Sequence, residues 1–228
     1  ENFSFFDLLF HLKENLNENI RIRISSVEIT KIDEKIIDLI KNNKIFLNHM
    51  HIPIQSGSDF ILEKMNRKYS KGEFINKINF IKKQIPNISI TTDLIVGFPY
   101  ENQPLFLETI ATIEKCQFSK IHVFPFSKRE NTPAYFMDEQ VDSFEKKKRV
   151  KIILDISNKL EKKFNSKFIN KEVYVLFEKK IKNENLMIGK SNEYVDLIAK
   201  YDKKHINKVV RVRVKSILDD LKLFGEII

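Results

Sequence analysis

The chain has 228 residues, 42% hydrophobic and 31% charged, with five glycines, one cysteine and no tryptophan. Such a composition buries a real core and excludes a disordered chain, while no apolar run approaches the roughly 20 residues of a membrane-spanning helix. The net charge of +9 sits at one end: residues 1–140 carry 18 basic and 18 acidic side chains, residues 141–228 carry 22 and 13. A basic block beside a neutral one suggests a polyanion-binding appendage on a separate domain. A solvated lysine-rich surface is the alternative that charge alone leaves open. Cys116 cannot form an internal disulfide and fits a reducing compartment. The first residues, ENFSFFDLLF, lack the basic start of a signal peptide. A cytoplasmic protein, without a membrane anchor, is expected.

Apolar residues at three- and four-residue spacing predict helices near 4–17, 33–43, 58–66, 71–85 and 103–117. Between them lie short β-branched runs, IRIRISS (20–26), MHIPI (50–54), ISITTDLIV (88–96) and KIHVFPF (120–126), which read as buried strands. Strand and helix in alternation imply an α/β fold with parallel strands joined by right-handed crossovers. Four strands suit an open or incomplete barrel. Polar residues follow each run: Ser25, Ser26 and Glu28 after the first, Gln55, Ser56, Gly57 and Ser58 after the second, Gly97 to Glu101 after the third, Ser127 to Arg129 after the fourth. Parallel α/β folds bind ligands at the carboxyl ends of strands, so four polar ends in register are a functional signal. Loop capping, as by Ser58, would explain any one of them.

Residues 141–168 predict a long basic connecting helix with Val150, Ile153, Leu154, Ile156, Leu160 and Phe164 as its apolar stripe, and the run KKKR (146–149) reads as a solvated face. The period then becomes two, in 173–177, 186–189, 193–200, 208–217 and 221–228. Five short strands predict a small OB-like β-barrel over 169–228. Lys208, Arg211 and Arg213 alternate with valines, and basic side chains so placed suit phosphate contacts.

Four segments resemble one family. HIPIQSGSDFILEKMNRKYS (51–70), TTDLIVGFPYEN (91–102), RIRISSVE (21–28) and KIHVFPFSKRENTPA (120–134) are similar, in order, to signatures of the radical-SAM tRNA methylthiotransferases. The fourth is closest to the branch acting on threonylcarbamoyladenosine, the isopentenyladenosine and ribosomal-protein branches differing most there. The resemblance implies the last four strands of a six-stranded radical-SAM barrel over 1–140, followed by an RNA-binding TRAM domain. It implies S-adenosyl-L-methionine (SAM), two 4Fe–4S clusters, tRNA as substrate, a flavodoxin-like or ferredoxin-like electron donor, and a monomer. The cysteines that hold the family's clusters have no counterparts here, so the chain by itself is expected to be inactive. A non-catalytic RNA-binding protein is the rival reading.

For the cofactor the resemblance implies Gln55 and Ser56 near the ribose, Ile95 and Gly97 against adenine, Phe124 for a backbone contact, and Asp93, Ser26 and Glu28 as polar candidates. Arg67 and Arg129 join Lys208, Arg211 and Arg213 as candidate RNA contacts. Catalytic residues stay unassigned, and no metal ligand is expected within the chain. Departures from the pattern are Thr30 where proline is usual, Tyr100 and Asn131 for glycine, and Asn102 for threonine.

Overall fold

A computed structural model describes residues 3–228. The first half alternates helix and strand: α1 (Phe5–Asn15), β1 (Ile22–Ile24), α2 (Glu34–Lys41), β2 (Phe46–His51), α3 (Asp59–Lys64), α4 (Lys71–Gln84), β3 (Ser89–Val96), α5 (Gln103–Cys116) and β4 (Lys120–Pro125). Helix starts follow from capping side chains. Ser4 and Asp7 form a capping box on α1, as do Ser70 and Glu73 on α4. Asn102 accepts from the Leu105 N–H to open α5, the task threonine would perform.

The four strands form one parallel sheet in the order β1-β2-β3-β4. Period two divides each strand between faces. Ile24, Met50, Ile90, Leu94, Val96 and Ile121 point to the helices and join one buried core with Ile36, Phe74, Ile113 and Ile153. The other parity, Arg23, His49, His51, Ser89, Thr91, Asp93, Lys120 and His122, gives the opposite face a polar lining. A curved sheet with helices on one side and polar side chains on the other is an open part of a (βα) barrel.

Two strands differ from the sequence reading. The first is only three residues long, and the second lies at Phe46–His51 rather than 50–54. Pro53 has no N–H to donate to a ladder. The Ile54 N–H turns instead to the Thr92 hydroxyl, at 2.9 Å, and pairing resumes only at a Gln55–Leu94 bridge. The next residues press onto α5. A Cβ on Gly57 would lie 2.6 Å from the Thr109 Cα, and the Gly57 carbonyl accepts from the Thr112 hydroxyl at 2.8 Å. Only glycine allows that approach.

Helix α6 (Ser143–Asn165) opens with Asp142 accepting from the Phe144 and Glu145 N–H groups. Its buried line is Arg149, Ile153, Ser157, Leu160 and Phe164, whereas Leu154 of the expected stripe is 45% exposed. The helix spans two cores, because Ile153 and Leu160 belong to the first and Phe164 to the second. Strands β5 (Glu172–Lys180), β6 (Leu186–Ser191), β7 (Asp196–Lys200), β8 (Val209–Ile217) and β9 (Leu223–Ile227) then close a barrel in the order β5-β6-β7-β9-β8. Val173, Val175, Phe177, Met187, Leu197, Val212 and Val214 fill it. No described helix is long and apolar enough to cross a membrane.

Candidate active site

The carboxyl ends of the parallel strands share one geometric habit. The chain leaves β1 at Ser26 (φ 54°), the β2 extension at Gln55 (φ 65°) and β3 at Gly97 (φ 71°), all left-handed. For serine and glutamine this conformation costs about 1–2 kcal/mol. Such strain collects where structure is fixed for function. Gln55 is held from both sides: its N–H donates to the Asp93 carbonyl at 3.0 Å and its carbonyl accepts from the Ile95 N–H at 2.9 Å.

Gln55, Asp93, Ile95 and Phe124 therefore stand side by side at this mouth, with Ile95 in register with Phe124 and Asp93 with His122. Ile95 is half-buried, unlike its core neighbours Leu94 and Val96, and Phe124 is 50% exposed. Ser26 is exposed beside the edge of the sheet, and Glu28, half-buried, precedes a short 3₁₀ turn. Ser56 is placed differently. It is fully buried, its Oγ 3.5 Å from the Thr109 hydroxyl and accepting from the Ser58 N–H, so it fastens the loop to α5. Gly97 is also covered: a Cβ there would run into the aliphatic stem of Lys146.

Lys146 and Arg149 correct the reading of the KKKR run as a solvated face. Arg149 donates to the Glu101 carboxylate at 2.7 Å and to its carbonyl at 2.6 Å, with side-chain exposures of 4% and 0% for the two residues. The same Glu101 oxygen accepts the Gly97 N–H at 2.7 Å. Burial pushes the Glu101 carboxyl up, against the Gly97 N–H and the Arg149 guanidinium, which pull it down. The turn after β3 is thus tied to α6 by one buried ion pair. Within it Tyr100 takes the left-handed conformation (φ 70°) that glycine would adopt more easily, its ring edge-on to Phe60. Asn131, also for glycine, is left-handed too (φ 65°), a conformation asparagine tolerates.

Beneath the mouth lies a chain of hydrogen bonds that the sequence reading missed. His51 Nε2 is 3.1 Å from the Asp93 carboxylate, His51 Nδ1 is 2.8 Å from the Thr91 hydroxyl, and that hydroxyl is 3.0 Å from His49 Nε2. The carboxylate orders the whole chain. It requires a proton on His51 Nε2, so in neutral His51 Nδ1 accepts from Thr91, whose oxygen then accepts from His49 Nε2–H. His49 is left with a bare Nδ1, buried and without a partner among the described residues. Burial first, then Arg23 and the neighbouring cations, lower its pKa to about 3. Burial also lowers His122, whose ring is 5.8 Å from that of His51.

The β-barrel closes the lower end of this face through its β6–β7 turn. Tyr194 packs against His49 with ring centres 4.9 Å apart and the rings tilted by 39°, and the Arg23 guanidinium lies over the Tyr194 ring at 4.0 Å. Arg21 donates to the Asn192 side chain beside it. The resulting cavity, about 400 Å³, runs from Ser26 near the mouth down to Ser89 and Ser119 at the strand starts.

The five candidate RNA residues are not gathered in one place. Lys208, Arg211 and Arg213 are exposed on or beside β8, Arg129 is exposed in the loop after β4, and Arg67 is half-buried with an unpartnered Nε. Arg211 and Arg213 share Glu172, at 3.6 and 2.7 Å. Tyr174, 53% exposed, is in register with Arg211.

Comparison with known proteins follows the same lines. The family model of the radical SAM superfamily matches residues 2–113. Residues 2–113 thus resemble the radical SAM superfamily, and nearly the whole chain aligns with curated tRNA methylthiotransferases. It is 37% identical to the threonylcarbamoyladenosine tRNA methylthiotransferase MtaB of Bacillus subtilis, covering 94% of this chain and 48% of that protein. It is 38% identical to the tRNA-2-methylthio-N(6)-dimethylallyladenosine synthase of Clostridium tetani, covering 98% and 49%. The chain thus spans about half the length of the curated relatives it matches. Among solved structures the coproporphyrinogen III oxidase of Escherichia coli, a radical SAM enzyme, shares the fold, with a TM-score of 0.52 at 19% identity over 67% of this chain and 36% of that one.

The residues present fit part of what that superfamily uses. The mouth offers a neutral amide, a carboxylate and two apolar side chains to a nucleoside-bearing cofactor. A cluster finds no ligand set here: clusters need cysteine thiolates, and burial pushes the lone Cys116 thiol up to about 12.

Proposed function

We propose that this chain is the SAM-cradling and RNA-binding portion of a tRNA methylthiotransferase that modifies an N6-substituted adenosine beside the anticodon. The observation that carries the reading is that nearly the whole chain aligns with about half of each of two such enzymes. The KIHVFPFSKR segment favours threonylcarbamoyladenosine as the substrate. When bound, SAM would supply an adenosyl radical and a methyl group. Gln55 and Asp93 would hold its polar edge and Ile95 and Phe124 its adenine, with Ser26 and Glu28 on the adjoining strand end. Gly97, with Lys146 where a Cβ would sit, and Ser56, locked onto α5, would shape the turns around the cofactor. A flavodoxin-like or ferredoxin-like protein would deliver electrons.

The β-barrel is the TRAM-like RNA-binding domain of this reading, its exposed Arg211, Arg213 and Tyr174 suiting phosphates and a base. The 228-residue chain is expected to bind tRNA with an affinity that falls steeply as salt rises. Arg211→Gln with Arg213→Gln should weaken binding and flatten the slope of log K against log salt by about 0.7–0.9 per lost phosphate contact. Filter binding across a salt series measures both. An unchanged slope in the double variant removes β8 from the RNA interface.

A further inference from the structure

Both curated relatives act, by their names, on adenosines substituted at N6, and the substituents differ in kind. One ends in a carboxylate and the other is a hydrocarbon. From the cavity beneath the mouth we infer that it receives this substituent and selects the carboxylate-bearing one. The inference rests on the functional reading above and adds to it the residues that read the substrate.

The cavity is of a size that takes small ligands, about 400 Å³. Ser25 and Ser26, at the strand end beside the mouth where the modified base would lie, line one end of it. Its charges are nearly balanced, with one exception. Lys120 is paired with Glu161 at 3.0 Å and Lys190 with Asp196 at 2.7 Å. Arg23 has no carboxylate within ion-pair distance among the described residues; it only covers the Tyr194 ring. A planar guanidinium over an aromatic face, inside a cavity, is a ready partner for a planar carboxylate. The hydroxyls of Ser25, Ser89 and Ser119 continue the polar lining. Ser89 and Ser119 are already paired with each other at 2.8 Å, so a hydrocarbon in this space would leave chiefly the Arg23 guanidinium without a partner, and sites built on polar groups reject analogues that lack the matching ones.

On β4 the alternation sends Ile121 into the core while Lys120 and His122 line the same cavity. The His122 imidazole and the unpaired guanidinium thus meet in one space.

The test is calorimetric titration of the 228-residue chain with three nucleosides: N6-threonylcarbamoyladenosine, its methyl ester, and N6-dimethylallyladenosine. The acid should bind at least about tenfold more tightly than either neutral nucleoside, a difference of about 1.4 kcal/mol. Arg23→Gln should bring the acid and ester to equal affinity, and His122→Phe should reduce the preference. The ester comparison uses the unaltered chain, so it decides even where a variant folds poorly. Equal binding of acid and ester, tighter binding of the dimethylallyl nucleoside, or binding of none of the three overturns the inference. Methylthiolation by the complete enzyme is a separate readout: if it persists while acid and ester bind alike, only the cavity assignment falls.

Discussion

Arg149→Leu is expected to destabilise the chain by about 3–5 kcal/mol, because it strands a buried carboxylate without its charge partner. Glu101 sits at 0% side-chain exposure and one of its oxygens already lacks a partner. Its other oxygen would keep only the Gly97 N–H. Adding Glu101→Met should restore part of the loss, since it removes the stranded charge but leaves the Gly97 N–H without its acceptor. Urea unfolding of the two single variants and the double variant forms the cycle. A single-variant loss below about 1 kcal/mol, of the kind exposed pairs give, would contradict a buried tie between α6 and the turn after β3. The consequence for function is positional. α6 belongs to both cores, so the ion pair is a direct mechanical link between the helix leading into the β-barrel and the backbone at Gly97.

The second large effect is acid sensitivity from His49. Its folded pKa of about 3 lies below the ordinary 6.5. As pH falls through 6.5 the unfolded chain takes up a proton that the folded chain refuses, so stability is lost between about pH 6.5 and pH 3 and is flat below. A gap of that size between folded and unfolded chains corresponds to about 5 kcal/mol. His49→Gln removes that group, and the Thr91 hydroxyl keeps His51 as a partner. The stability difference between parent and variant should therefore shrink or reverse in favour of the variant as the pH drops through this window. Chemical denaturation at pH 7, 5 and 3.5 reads it, and a difference constant across the three would show that His49 is not held neutral by its surroundings.

Much of this arrangement was legible in the sequence, for reasons that differ by element. The parallel order and the polar strand ends followed from alternation of period, because helices and strands here are short and well capped. The basic tail and its five strands followed from charge and from period two. Other features were lost where one residue overrode a pattern. Pro53 and the apolar run around it drew the second strand downstream, which hid the shared parity of His49 and His51. With the strand at Phe46–His51, that parity puts both imidazoles on the cavity face. Arg149 was masked by its three lysine neighbours, although it stands four residues before Ile153 and eight before Ser157, on the buried line of α6. The covering of Gly97 by Lys146 had no sequence signal, since it brings together residues far apart in the chain. Ser56 looked like a ligand because it follows a strand, and its burial depends on Thr109 across the crossover.

Methylthiolation of an N6-substituted adenosine in tRNA is tested most directly in the source organism. The gene encoding this chain is deleted, and the nucleosides of hydrolysed tRNA are analysed by mass spectrometry. The expected result is loss of the 2-methylthio derivative of threonylcarbamoyladenosine, accumulation of the unmethylthiolated nucleoside, and recovery of the derivative when the gene is restored. A full complement of methylthiolated adenosines in the deletion strain would contradict this function.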